Sequence, residues 1–213
     1  MPGLIEFSKS SPKARDAAAS RTASDQPIPR SLVLMNEEAD GRLVARSCEG
    51  DRRAFADLVS RYQKPIYNAA MHMLHHTEDA RDVTQTVFLK AYEHLDAYDP
   101  KFKFYSWIYR IALNESINAL QRRHHSEPLT EQERDDHDGP DDEVGSAQAS
   151  RRVQAALMTL RPDYRAVIVL KHFLDSSYED MSEILGIPDK TVKSRLFTAR
   201  QALKEALNGH GRL

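Results

Sequence analysis

The sequence predicts an all-α protein made of two small helical units joined by a flexible acidic linker. Three observations carry this. Apolar residues recur at three- and four-residue steps through 37–125 and again through 151–208. No segment shows strand-length alternation, and no internal repeat of roughly 20–50 residues is present. Between the two periodic regions, 126–150 sets nine carboxylates against one basic residue, Arg134, and is interrupted by Pro128, Gly139, Pro140 and Gly145. Like-charge repulsion without apolar residues keeps such a stretch from building a core.

Composition narrows the function classes. The 213 residues are 40% apolar and 29% charged, a balance suited to modest helical cores. The 30 Lys+Arg and 32 Asp+Glu give a formal net charge of −2, which argues against a uniformly basic nucleic-acid coat. That average conceals segregated charge: the linker is acidic and both helical units carry basic faces. Cys48 is the only cysteine, so an intramolecular disulfide and any Cys-rich zinc module are excluded, and a reducing cytoplasm is the expected compartment. The longest apolar run, Ala166 to Leu170, is far short of the ~18 residues of a membrane span. Nor does the amino terminus show a secretory apolar core.

Residues 1–36 are rich in Ser, Ala, Pro, Lys and Arg and read as a disordered arm. Leu43, Val44, Phe55, Leu58, Val59, Tyr62 and Ile66 then carry helical spacing, with Gly50-Asp51 as break and N-cap. Thr77 is the expected cap of a helix running to about Leu95, with Ala80, Val83, Val87, Phe88 and Ala91 on its apolar side. Asp99-Pro100 ends that element. A further helix spans about Tyr105 to Arg123, with Trp107, Ile108, Ile111 and Leu120 along its core stripe. Beyond the linker, Val153, Leu157 and Leu160 mark one helix and Val167 to Leu174 the next.

Ser177–Leu203 has the spacing of a helix-turn-helix. Tyr178, Met181, Ile184 and Leu185 share one face of a short helix. Gly186 permits the positive φ of a sharp turn, and Pro188 fixes the start of the second helix. Val192, Leu196, Ala199 and Leu203 then point inward. Lys190, Thr191, Lys193, Ser194, Phe197 and Thr198 point outward near the helix N-terminus, the part that a recognition helix places in a major groove. Arg195 and Arg200 suit phosphates. An ordinary helical hairpin with a solvated basic face fits the same spacing.

In the first unit, Lys101, Phe102, Lys103, Phe104 and Tyr105 interleave cations with aromatics, and the helix that follows adds Arg110, Asn114, Asn118, Arg122 and Arg123. Aromatics stack on exposed bases while cations hold the backbone, a combination suited to melted DNA. Trp107 and Tyr109, beside Ile108 and Ile111, are read as core, and Phe102 and Phe104 as loop contacts. The helix from Glu78 to Leu95 carries Asp79, Asp82, Gln85, Thr86 and Lys90 on a polar face beside apolar edges, which suits either a docking rod or a solvated face.

Catalytic chemistry finds little to stand on. There is no phosphate-cradling GxxxxGK, no HExxH and no nucleophile–base pair, so no catalytic residue is assigned. His72, His75 and His76 imitate a metal cluster but have no carboxylate or Cys partners at ligand spacing, so neither metal nor cofactor is expected. Two non-catalytic readings stay open: a self-sufficient helix-turn-helix regulator, which would bind its operator alone, and an adaptor that binds polymerase without DNA.

Taken in order, these motifs resemble the extracytoplasmic-function (group 4) sigma factors of bacterial RNA polymerase, over about residues 40–207. Asp82-Val83-Thr84-Gln85-Thr86-Val87-Phe88-Leu89-Lys90-Ala91-Tyr92 resembles the family's region 2.2. Phe104 to Ala112 is similar to regions 2.3–2.4, and Ser177 to Leu196 to region 4.2. The Phe-Tyr-Ser-Trp run looks most like the sigma-E-type subgroup. Thr86, Asn118 and Lys190 stand where members usually or often carry an acid, Asp and Gly.

The resemblance implies a sigma region 2 over 37–125, an acidic linker over 126–150 and a sigma region 4 over 151–213. It implies core-polymerase contacts from Asp79, Asp82, Gln85, Thr86 and Phe88. Recognition and melting of the −10 element would fall to Lys101 through Tyr105 with Arg110, Asn114, Asn118, Arg122 and Arg123. Reading of the −35 element would fall to Lys190, Thr191, Lys193, Ser194, Arg195, Phe197, Thr198 and Arg200. The implied partners are core RNA polymerase, through its β′ clamp coiled coil and β flap, promoter DNA and an anti-sigma factor, with the free chain a monomer.

Overall fold

A computed structural model describes residues 37–126 and 144–209. Among the described residues there are eight α-helices and no strand. The first unit comprises α1 (Glu37–Cys48), α2 (Arg52–Leu74), α3 (Thr77–Glu93), a 3₁₀ turn (Leu95–Ala97) and α4 (Phe104–Ser126). The second comprises α5 (Val144–Thr159), α6 (Pro162–Ile168), a π turn (Val169–Phe173), α7 (Tyr178–Leu185) and α8 (Asp189–Gly209).

Local chemistry sets the helix ends. The Asp51 carboxylate accepts from the Arg53 and Ala54 amides at 2.9 and 3.3 Å and so caps α2. Gly50, at φ 94°, supplies the left-handed step before it. The sequence expectation for α3 needs correction: its N-cap is His76, whose Nδ1 accepts from the Asp79 amide at 3.2 Å, while Thr77 is buried as the first helical residue. Helix α3 also ends at Glu93: of the two residues expected to extend it, His94 lies in a turn and Leu95 opens the 3₁₀ turn. A capping box opens α7: the Ser177 hydroxyl accepts from the Asp180 amide, and the Asp180 carboxylate accepts from the Ser177 amide, both at 3.0 Å. Gly186, at φ 64°, closes α7 as the spacing predicts.

The expected linker bounds, 126 and 150, both fall inside helices. Ser126 is still in α4, and 144–150 belong to α5. The rest of the acidic segment, and the amino-terminal arm, lie outside the described residues.

The core runs through both units as one cluster. Leu58, Tyr62, Ile66, Met73, Val87, Ile108 and Tyr109 fill the first; Leu157, Val167, Leu170, Met181, Val192 and Leu196 fill the second. Each fully buried side chain of this kind stabilises the fold by about 1.5–3 kcal/mol. Helix α1 is tied down by Asp40, which accepts from Arg61 and, at 2.5 Å, from the Tyr62 hydroxyl. Burial pushes the Asp40 carboxyl above its usual range despite these partners.

Candidate nucleic-acid and polymerase interfaces

Helix α8 divides cleanly. Val192, Leu196 and Ala199 are fully buried, while Lys190, Lys193, Ser194, Phe197, Thr198 and Arg200 are exposed on the other side. Thr191 and Arg195 are half-buried at the edges. Phe197 is 66% exposed, an apolar ring facing water beside cations. The Lys193 ammonium lies 5.3 Å from the centre of the Tyr178 ring, and Lys171 lies 5.4 Å from the same ring. Tyr178 thus brings two cations to one rim of the helix-turn-helix. Arg200 is partly engaged: its Nε donates to His172 Nε2 at 3.3 Å. Burial, with the Arg200 and Lys171 charges, lowers the His172 pKa and keeps that nitrogen an acceptor.

On α3, Asp82 and Gln85 are exposed and Thr86 half-buried. Asp79 forms an ion pair with Arg123, whose Nε lies 3.3 Å from its carboxylate. Asp79, Asp82, Thr86, Glu115, Arg122 and Arg123 line a groove between α3 and α4. Phe88 requires correction, because it is only 9% exposed and its ring faces the core. The apolar side chains that reach solvent are Leu89 and Tyr92, at 63% and 52% exposure. The signal in the sequence was the spacing Gln85, Leu89, Tyr92, which sets one polar and two apolar residues on one helical stripe.

The segment before α4 is split the same way. Lys101 and Phe102 are exposed on a turn held by Asp99, whose Oδ1 accepts from the Lys101 amide at 3.0 Å, and by the Tyr98 hydroxyl, which donates to the Phe102 carbonyl at 2.6 Å. Phe104 is a core ring, not a loop contact: it is 3% exposed and meets Tyr62, Tyr98 and Trp107 at centroid distances of 5.4, 5.8 and 5.6 Å. Tyr105 is also buried and shares a 2.8 Å hydrogen bond with the Ser176 hydroxyl. Further along α4, Asn114, Asn118 and Arg122 are exposed, Arg123 is paired with Asp79, and Tyr109 is core as expected.

Three polar residues at the start of α4 have partners in the second unit. Lys103 Nζ donates to Asp180 at 3.0 Å and lies 3.3 Å from Glu37. Ser106 donates to the Glu183 carboxylate at 2.8 Å. Arg110 donates to the carbonyls of Glu183 and Ile184 at the end of α7. Burial alone would lower the Lys103 pKa, but Asp180 and Glu37 outweigh it and raise it. Nothing in the sequence flagged Ser176, Asp180 or Glu183 as partners of α4, since the contacts span more than 70 residues.

A helix-turn-helix with an exposed basic face is joined to a helical unit that carries a cation–aromatic loop and an exposed apolar stripe, an arrangement suited to a DNA-binding protein. Residues 58–126 match the family described as Sigma-70 region 2, and 150–203 match Sigma-70 region 4. The chain is 36% identical over 171 residues to the ECF RNA polymerase sigma factor SigW of Bacillus subtilis, covering 75% of this chain and 91% of that protein. It is 33% identical over 186 residues to the RNA polymerase sigma-H factor of Pseudomonas aeruginosa, covering 82% and 96%. With the ECF sigma-E factor of Escherichia coli K12 the identity is 33% over 182 residues, covering 79% and 95%. Among solved structures, CnrH in complex with the cytosolic domain of CnrY matches with a TM-score of 0.63 and 28% identity, over 80% of this chain and 98% of that one. The sigma factor RpoE of Bartonella quintana, solved with the anti-sigma factor NepR, shares the fold at a TM-score of 0.61 and 23% identity, over 72% and 96%. The chain belongs to the extracytoplasmic-function group of the sigma-70 family of RNA polymerase sigma factors. It is a transcription initiation factor, and among its described residues no helix is long and apolar enough to cross a membrane.

Proposed function

We propose that this chain directs core RNA polymerase to promoters by reading a −35 element with α8 and a −10 element with the loop before α4 and the exposed stripe along it. Its two working units are 37–126 and 144–209, it acts in the cytoplasm, and an anti-sigma factor holds it inactive. The observation that carries the reading is the partition of α8. Residues that would touch bases and phosphates, Lys190, Lys193, Ser194 and Phe197, are exposed, while the same helix buries Val192, Leu196 and Ala199. Core docking falls to Asp82, Gln85, Thr86, Leu89 and Tyr92, whose side chains reach the surface or its edge, with Asp79 and Arg123 shaping the groove beside them.

Run-off transcription with purified core enzyme on a genomic promoter library tests the whole reading. Defined start sites that require this chain are expected, with protection of non-palindromic −35 and −10 elements. Lys193→Ala and Phe197→Ala should lower output from promoters with an intact −35 element by about tenfold while core affinity holds, each lost contact being worth about 1–3 kcal/mol. Footprinting of a palindromic site by the chain alone would favour a self-sufficient regulator instead.

A further inference from the structure

We propose that Glu115 is a positioning residue for Asn118: it turns the Asn118 amide so that its oxygen, not its nitrogen, leads toward DNA, and so sets a preference within the −10 element for a base with an exocyclic amino group. This rests on the −10 assignment made above and adds the base chemistry that the stripe along α4 selects. Asn114, Asn118 and Arg122 recur at four-residue steps and are exposed. Glu115 lies one turn before Asn118, on the side of α4 that borders the groove with α3, and is only 6% exposed.

Two contacts fix the arrangement. Lys90, on α3, donates through Nζ to Glu115 Oε1 at 2.7 Å, an ion pair that holds the carboxylate between the two helices. Asn118 Nδ2 donates to the same oxygen at 3.3 Å. A carboxylate has no proton to give, so only the nitrogen of the amide can face it. The second hydrogen of Nδ2 stays with the nitrogen on that side, and Oδ1 is turned the other way. An approaching base therefore meets an acceptor first. Adenine N6 and cytosine N4 are amino donors that satisfy it, whereas guanine O6 and thymine O4 set a second acceptor against it. Without Glu115 both orientations of the amide are populated, and the flipped one offers Nδ2 to the keto bases. The base preference thus comes from a buried neighbour that touches no DNA, anchored by Lys90 on the helix that carries the docking stripe.

The test uses the full chain bound to core enzyme and a promoter from the run-off library, premelted across its −10 element. The −10 bases of each strand are varied one at a time against an unchanged, unpaired partner strand, and binding is measured for all four bases. At one position adenine and cytosine should be favoured over guanine and thymine by about fivefold, the worth of one hydrogen bond. Asn118→Ala should flatten the profile there. Glu115→Ala should bring the ratio at that position to within about twofold of one by admitting guanine and thymine, with the other positions unmoved. Glu115→Gln combined with Asn118→Asp reverses donor and acceptor within the pair and keeps an oxygen outward, so it should restore the amino preference. Core affinity and helical circular dichroism of each variant register any loss of docking or folding, which scales all four bases alike and leaves the ratio readable. An unmoved ratio in Glu115→Ala overturns the proposal. So does a preference for guanine or thymine at the position that Asn118→Ala flattens, or a paired exchange that leaves the ratio near one. The −10 assignment fails in a different way: if Asn118→Ala changes the profile at no position on either strand, Asn118 reads no base, and the positioning role falls with it.

Discussion

Arg165, in α6, donates through Nη1 to the main-chain carbonyl of Met73, 92 residues earlier in α2. Its Nε reaches the Leu157 carbonyl at 3.0 Å, and its Nη2 reaches Met158 and Leu160 at 2.9 and 3.1 Å. The guanidinium is 5% exposed and meets helix-end carbonyls, not a carboxylate, so two negative helix termini supply its counter-charge. Burial pushes its pKa down to about 10, which still leaves it cationic at neutral pH.

Replacing that group strands several buried acceptors at once. Arg165→Met is expected to destabilise the second unit by about 3 kcal/mol, because each unsatisfied buried carbonyl costs about 1–3 kcal/mol and partial relaxation recovers some of it. Arg165→Lys should recover only part, since an ammonium cannot span four carbonyls in the guanidinium's planar fork. Urea unfolding followed by helical circular dichroism measures both. Equal stability of the Arg165→Met protein would mean that these carbonyls find water without loss.

Asp180 and Asp40 bring opposite pH dependences. Burial alone would raise the Asp180 carboxyl, but hydrogen bonds from Ser177 and Lys103 outweigh it and hold the group below the usual carboxylate range. A depressed folded pKa stabilises at pH values above the unfolded value of ~3.9, and that contribution is lost as pH falls through the folded pKa. Asp40, raised by burial, behaves the other way: its contribution is complete below the unfolded pKa and is lost as pH rises through the folded one. Stability measured from pH 3 to pH 7 should therefore show Asp180→Asn costing about 1–2 kcal/mol near neutrality and little at the acid end. Asp40→Asn should show the reverse trend, its cost shrinking as pH rises. Parallel profiles for the two variants would contradict these assignments.

Adjacent residues on α3 separate docking from folding. Leu89→Asp alters a side chain 63% exposed, so stability should change by no more than about 0.5 kcal/mol. Core-polymerase affinity should fall about tenfold or more if the stripe of Gln85, Leu89 and Tyr92 is the docking face. Phe88→Ala should do the opposite, costing about 3 kcal/mol of stability through a cavity against the core, with affinity preserved in the folded fraction. Fluorescence anisotropy against core enzyme, paired with urea melts, reads both. Loss of affinity in Phe88→Ala at full folding would restore it as a contact residue.

That pair also shows where the sequence stops being informative. The period of α3 was legible, but Phe88 and Leu89 sit at adjacent positions on the border of its apolar stripe, and the phase of the neighbouring helices decides which one is covered. The helix-turn-helix was legible nearly to the residue, because Gly186 and the run Val192, Leu196, Ala199 have few alternative readings. The cap of α3 was not, since a histidine ring acting as acceptor lies outside the residue types that mark N-caps. The π turn at Val169–Phe173 was hidden inside a continuous apolar run. The seam between α4 and α7 depends on contacts between residues more than 70 apart, which helical periodicity does not encode.

The aromatic pair before and at the start of α4 separates melting from packing in the same way. Phe102 is 51% exposed, while Phe104 is 3% exposed and closes a cluster with Tyr62, Tyr98 and Trp107. Phe102→Ala is therefore expected to leave the unfolding midpoint in place. At the promoter it should remove a stacking surface worth about 1–3 kcal/mol per base, slowing open-complex formation by about tenfold or more at unchanged initial binding. Phe104→Ala should lower stability by about 3–5 kcal/mol and depress every step that needs a folded first unit. Permanganate reactivity across the −10 region, followed in time beside a binding assay, tells them apart. If Phe102→Ala melts promoters at the unmodified rate, the exposed ring is a surface residue without a base partner, and the opening function must lie further along α4, at Asn114 and Asn118.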